Sequence, residues 1–131
     1  MSLYLAIFDG DREVVGWVLG HYSDFAFFRD VVEIRLSRDD CPTLLEHSDC
    51  DGEWTLEELA PLRSELEAIA ARFKLLAPEE PRGAFEHAAG FRRGAKSLYD
   101  CFHNVDGENL LEALSALCDE GIRRNSPIAF Q

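Results

Sequence analysis

The sequence has no stretch approaching 18 apolar residues, no Cys-x-x-Cys pair, no glycine-rich phosphate loop and no Gly-x-Ser-x-Gly turn. Without the apolar stretch there is no candidate membrane-spanning helix. The opening MSLYLAIFDGD lacks a basic segment, and its apolar run stops at Phe8, so it does not read as a signal peptide. The expectation is a cytoplasmic protein with reduced thiols. Cys41, Cys50, Cys101 and Cys118 are then core or incidental thiols rather than a disulfide framework. The missing phosphate loop and nucleophile turn leave no signature of an enzyme.

Positive charge is also scarce. Against 25 Asp and Glu stand 13 Lys and Arg, a net charge of −12. Such a chain repels nucleic acid, whose binding depends on neutralising phosphates, and it repels anionic membrane surfaces. A basic protein is the partner class that fits. What the chain does have is apolar material. It is 47% hydrophobic over 131 residues, with nine Phe, two Trp and three Tyr. That composition argues against disorder and for one domain spanning residues 1–131, large enough to bury a core without metal or disulfide.

Residues 3–8 and 13–19 are apolar, strand-forming runs flanking Asp9-Gly10-Asp11-Arg12, which predicts a β-hairpin with a bulge at Gly16. Ser23 is placed to cap a helix over about 24–37, with Phe25, Phe28, Val32 and Leu36 on one face and Phe27, Val31 and Ile34 widening it. Thr43–His47 reads as a short strand. Leu56, Leu59, Leu62, Leu66, Ile69, Phe73 and Leu76 form one continuous helical face. Thr55 and Glu58 give it a capping box, while Pro61 predicts a kink or a separate first turn. Residues 84–96 have no clear pattern and hold the one basic local stretch. Ser97–His103 reads as a strand. Leu110, Leu111, Leu114, Leu117, Cys118 and Ile122 define a last helix with Gly121 near its end, and Pro127–Phe130 a terminal strand. The elements do not alternate as regular βαβ units. The predicted class is therefore α+β: a mostly antiparallel sheet of four to five strands packed against three to four helices.

Two segments echo each other. His47–Leu59 aligns with Phe102–Leu114, matching Asp51-Gly52-Glu53 to Asp106-Gly107-Glu108. Residues 46–58 hold six acids and no Lys or Arg, and residues 100–120 hold another six with none. The negative charge is thus concentrated around two turns. Asp and Gly suit tight turns and acids suit helix N-termini, so the echo is explicable as local folding chemistry. It also marks an acidic surface for a partner, made of Asp49, Asp51, Glu53, Asp106 and Glu108. Trp54 is either a core anchor beneath the first turn or an interface hot spot.

Metal chemistry has two candidate sites. With Gly52 at position 6 of a calcium loop, Asp49 and Asp51 take positions 3 and 5, Trp54 position 8 and Glu58 the bidentate position 12. Position 1 is His47, a poor ligand for a hard cation, and the second copy has Ala113 in place of the bidentate Glu. Glu58 fits the capping box better, so no cofactor is expected, with calcium as the alternative. His47-x-x-Cys50 and Cys101-x-His103 lack the spacing of standard zinc sites. A small metal-dependent hydrolase would need these carboxylates gathered in a deep pocket with His47 or His103.

Several segments together resemble the immunity protein 70 family. They are residues 3–11 (LYLAIFDGD), Gly20–Phe25, Phe28-Arg29-Asp30, Pro42-Thr43-Leu44, His47–Trp54 (HSDCDGEW), Leu98-Tyr99, Val105–Glu108 and Pro127–Gln131. The resemblance runs nearly end to end, and HSDCDGEW is its most specific piece. It implies an α+β bacterial immunity protein of a polymorphic toxin system, one that binds and blocks a cognate toxin domain without enzymatic activity. It transfers no catalytic or metal-binding residues. A basic, nucleic-acid-attacking toxin would complement the acidic charge.

Overall fold

Two apolar, strand-forming runs at the start of the chain build the expected hairpin. In a computed structural model, which describes residues 2–48, 52–78, 96–104 and 106–131, β1 (Ser2–Asp9) pairs antiparallel with β2 (Arg12–His21). The strands run closer together than expected, leaving a two-residue Gly10-Asp11 turn. Gly10 supplies the positive φ of 62° that a Gly-first hairpin turn needs. The bulges are not at Gly16. Register shifts at Leu3/Tyr4 and Ile7/Phe8 leave Leu19 and Val14 as the extra residues, while Gly16 pairs regularly with Ala6. Gly16 is small for another reason. A Cβ there would lie 1.7 Å from Tyr4 Oη, whose hydroxyl donates to Glu13 Oε2 at 2.8 Å.

β2 feeds directly into α1 (Tyr22–Arg35). Its N-cap is His21 rather than Ser23, because Asp24 at the third helical position accepts from the His21 backbone N–H at 3.2 Å. Phe25, Phe28, Val31 and Val32 are buried, but Ile34 is 72% exposed, so the apolar face is narrower than the sequence suggested.

The segment predicted as a strand at 43–47 is instead a single helical turn, α2 (Pro42–Leu45). Local propensity loses here to three charged side chains. The buried Glu65 carboxylate accepts from the backbone N–H of Thr43 (3.2 Å) and of Leu44 (3.0 Å), at the turn's positive end. At its other end, Arg29 and Arg38 donate to Leu45 O, and Arg29 also donates to His47 O at 2.8 Å. Anion at the N-terminus and cations at the C-terminus complement the helix dipole and satisfy otherwise unpaired groups.

β3 (Glu53–Trp54) follows the first acidic turn, rather than preceding it. α3 (Leu56–Phe73) runs unbroken past Pro61. The carbonyl deprived of a donor is that of Glu57, an exposed residue where water can substitute. The strand expected over 97–103 is a 3-10 turn (Leu98–Cys101) followed by an isolated bridge from His103 to Asn109. α4 (Leu110–Arg124) closes on Asn125, whose φ of 52° makes it the left-handed cap. Gly121 has a packing role instead: a Cβ would sit 2.7 Å from Leu59 Cδ1 of α3. β4 (Ile128–Phe130) then inserts into the sheet, giving the antiparallel order β2-β1-β4-β3. The fold is α+β, as the sequence predicts, with four strands and four α-helices among the described residues.

Leu3, Leu5 and Ile7 of β1, Phe25 and Phe28 of α1, the α3 face and Leu114 of α4 share one buried cluster. Phe28 lies edge-on to Phe102 (5.3 Å) and Phe73 (6.3 Å), a geometry aromatic rings prefer. The basic segment without a clear pattern, residues 84–96, lies outside the described residues except for Lys96.

Replacing Glu65 by Ala strands the two α2 N–H groups and should cost ~2–3 kcal/mol of stability. Denaturant unfolding at unchanged m-value measures it. The exposed Glu67→Ala on the same helix is the control, expected within ~0.5 kcal/mol of wild type. Equal midpoints for the two variants would contradict the clamp.

Candidate functional site

The first acidic turn leaves α2 at Glu46 and enters β3 at Glu53. Asp49 and Asp51 lie outside the described residues, as does Cys50. Gly52 adopts a φ of 81° and its carbonyl accepts from Phe130 N at 2.9 Å, tying the turn to β4. Glu53 is exposed and pairs with Ala129, which places the neighbouring Trp54 on the opposite, buried side. Trp54 is 0% exposed. Its indole N–H donates to Thr43 O at 3.1 Å and its ring meets Phe130 edge-on at 4.8 Å. The sequence set it among the partner-binding residues. Buried, it supports the turn from beneath and presents no surface.

His47 is likewise engaged. Its ring stacks on Phe130 at 4.5 Å, with Nδ1 2.7 Å from Ser48 O and Nε2 2.8 Å from Glu53 O. A shallow polar cavity of about 370 Å³ is lined by Glu46, His47, Ser48 and Glu58 with Pro42 and Thr43. Two of its groups already have duties. Both His47 nitrogens face carbonyls, and Glu58 Oε1 accepts from the N–H and the hydroxyl of Thr55, each at 3.0 Å. The capping box is therefore present as predicted. Among the described residues, no three His, Cys, Asp or Glu side chains converge as a metal site would require.

The second turn is built around Asn104, which is 1% exposed. Its Oδ1 accepts from the N–H of Asp106 (3.0 Å) and Glu108 (2.9 Å), and its Nδ2 donates to Glu108 Oε1 (2.8 Å) and Val18 O (3.2 Å). This saturates most of what an amide can make. Glu108 Oε1 also accepts from the Trp17 indole N–H at 3.0 Å, so the turn is fastened to β2 across 91 residues of sequence. Asp106 is exposed and makes no side-chain bond here. Gly107, with φ of 82°, repeats the left-handed glycine of the first turn.

The echo ends at the helices. Thr55 caps α3 three residues after Gly52, whereas Asn109 caps α4 two residues after Gly107 and accepts from Glu112 N at 3.0 Å. The turns also sit apart. One adjoins β3 and the other β2, the two edges of the sheet, roughly 14 Å from each other at three strand spacings. Yet they flank one row of the sheet, in which Trp17 pairs with Leu5, Leu5 with Phe130, and Phe130 bonds to Gly52.

Sequence reasoning missed Asn104 and Trp17. An Asn two residues before Asp-Gly is a signal for a side-chain-closed turn. The Trp17–Glu108 bond has no local signal. The structure gives no support to a zinc pairing of Cys101 with His103. Cys101 ends the 3-10 turn and bonds to Ser97 O, and His103 Nε2 lies 2.6 Å from Asp100 O, so the two do not share a strand face. Burial pushes the Cys41 and Cys101 thiols up to about 11 and the Cys118 thiol up to about 12, with neighbouring acids adding to each. Such thiols are poor nucleophiles near neutral pH.

With this geometry in hand, comparison against protein families matches the chain to immunity protein 70 over residues 8–130. The chain belongs to the immunity protein 70 family. The match spans both acidic turns, the α2 clamp and the whole sheet except the first six residues of β1. Comparison with curated proteins and with solved structures finds no match. No helix among the described residues is long and apolar enough to cross a membrane.

Two outcomes check this description. At pH 8, Cys41, Cys101 and Cys118 should resist a thiol reagent while the protein is folded and react after unfolding, as read by peptide mass spectrometry. Rapid native labelling of any of them would contradict their burial. The melting temperature should not respond to millimolar calcium or to chelator, since Glu58 is committed to its cap. A calcium-dependent rise would reinstate the loop as a metal site.

Proposed function

We infer that this chain neutralises a cognate toxin domain by binding it, without chemistry or cofactor of its own, in the cytoplasm of the cell that makes both. The family match over residues 8–130 carries this reading. Charge refines it. At a net −12, the favoured toxin is basic, as a nucleic-acid-attacking domain is. Opposite charge accelerates encounter, and an acidic surface laid over a basic cleft excludes its substrate.

The toxin-facing surface is the one bounded by the two acidic turns, with Glu53 on one edge of the sheet and Asp106 and Glu108 on the other; Asp49 and Asp51, outside the described residues, belong to it by sequence. A separation of roughly 14 Å fits inside a standard interface of about 800 Å² per partner. Glu53 and Asp106 support the reading most directly, being exposed, with carboxylates that bond to no described residue. Glu108 contributes charge while holding its turn in place.

Co-expression with the toxin domain encoded beside this gene should rescue growth and yield a complex that co-purifies. The double reversal Glu53→Lys, Asp106→Lys should slow association at low salt by about tenfold or more, with the difference shrinking as salt rises. An unchanged association rate would remove this surface from the account. Failure of the wild-type chain to rescue or bind would remove the toxin itself.

A further inference from the structure

A groove of about 330 Å³ lies between β2 and α4. β2 contributes Val15, Gly16 and Trp17. The opposite wall is Ala113, Ala116 and Leu117, with Glu108 and Glu120 also lining it. β2 is an edge strand, and among the described residues no further strand pairs with it on this side of the sheet. The groove is open because its helical wall is small: Ala113 and Ala116 leave space that larger residues would fill. Gly16 is held small by Tyr4, whose hydroxyl occupies the place of a Cβ.

The two lining carboxylates differ. Glu120 is paired with Arg123 and with Arg124 (Nε to Oε1, 2.6 Å), and these contacts hold its carboxyl below the usual range. Glu108 has only neutral donors, the Trp17 indole and the Asn104 amide. No cation among the described residues pairs with it, so its charge is uncompensated, and it lies beside a half-buried Trp ring. One end of the groove is therefore anionic and aromatic, the middle is aliphatic, and the other end is already neutralised.

We propose that this groove receives an arginine side chain of the toxin, its stem along Ala113, Ala116 and Leu117 and its guanidinium at Glu108 and the Trp17 ring. The proposal rests on the toxin-binding reading and adds the seat and the group it accepts. Arginine fits better than lysine. Its aliphatic stem tolerates burial, its planar head stacks on indole, and it has donors to spare for a carboxylate already accepting two bonds.

The test uses the full-length chain and the toxin domain encoded beside its gene, with Kd measured for wild type, Glu108→Gln and Ala116→Trp. Gln keeps an acceptor for Trp17 and Asn104 while losing the charge. Ala116 is exposed, so Trp there fills the groove without entering the core. Melting temperatures establish that both variants fold. Each should bind about tenfold or more weakly. An arginine-to-alanine scan of the toxin should find one arginine whose loss is non-additive with Glu108→Gln. Wild-type affinity in both folded variants would overturn the groove and leave the toxin reading intact. Coupling of Glu108 to a lysine or an apolar residue would overturn the arginine assignment. Absence of wild-type binding would overturn the toxin reading and the groove with it.

Discussion

The α2 clamp is the interaction on which the rest of this molecule depends. A single helical turn cannot hold itself together in water. Here it is held at one end by Glu65 from α3 and at the other by Arg29 from α1 and by Arg38. The same turn accepts the Trp54 indole through Thr43 O. It therefore locks α1, α3 and the edge strand β3 to one point. The first acidic turn begins where the clamp ends. Its start is set by Glu65 of α3, Arg29 of α1 and Arg38 of the loop before α2.

The other edge is organised differently, by an amide instead of a clamp. Asn104 closes the second turn on itself and bonds it to Val18, and Glu108 reaches Trp17. The first turn and the second share a sequence pattern and a left-handed glycine, but are fixed by unrelated contacts. That pattern is best explained as one local solution to a tight, acid-rich approach to a helix. Its consequence for function is geometric: two acidic turns are placed at the two edges of one sheet row, and between β2 and α4 a groove is left unfilled.

Much of this was legible in the residues. The hairpin, α3 with its Thr55–Glu58 box, α4 and the terminal strand all follow from periodicity and capping, which are local properties. The family was legible from HSDCDGEW and the matched termini. Errors fell where distant groups decide. Thr43–His47 has strand-like side chains, but its backbone N–H groups are claimed by a carboxylate some twenty residues on. Ser97–His103 follows a segment without pattern and folds as a 3-10 turn whose first N–H bonds to Leu76 O. Trp54 read as either a core anchor or an interface hot spot, and strand alternation decides between them by turning it inward next to Glu53. Of the acidic residues, the sequence indicated which were concentrated at turns. It did not distinguish Glu108, whose carboxylate fastens its turn, from Asp106, whose carboxylate bonds to no described residue.

The central claim is that a toxin is bound across the acidic turns and the β2–α4 face. Hydrogen exchange of the backbone, compared between the free chain and its complex with the toxin domain encoded beside the gene, tests it most directly. Protection on binding is predicted at residues 12–18, at 106–117 and at 52–54, with α1 unchanged over its exposed 33–35 end. Protection confined to α1 and the 36–40 loop, with those three segments exchanging as in the free chain, would contradict the account.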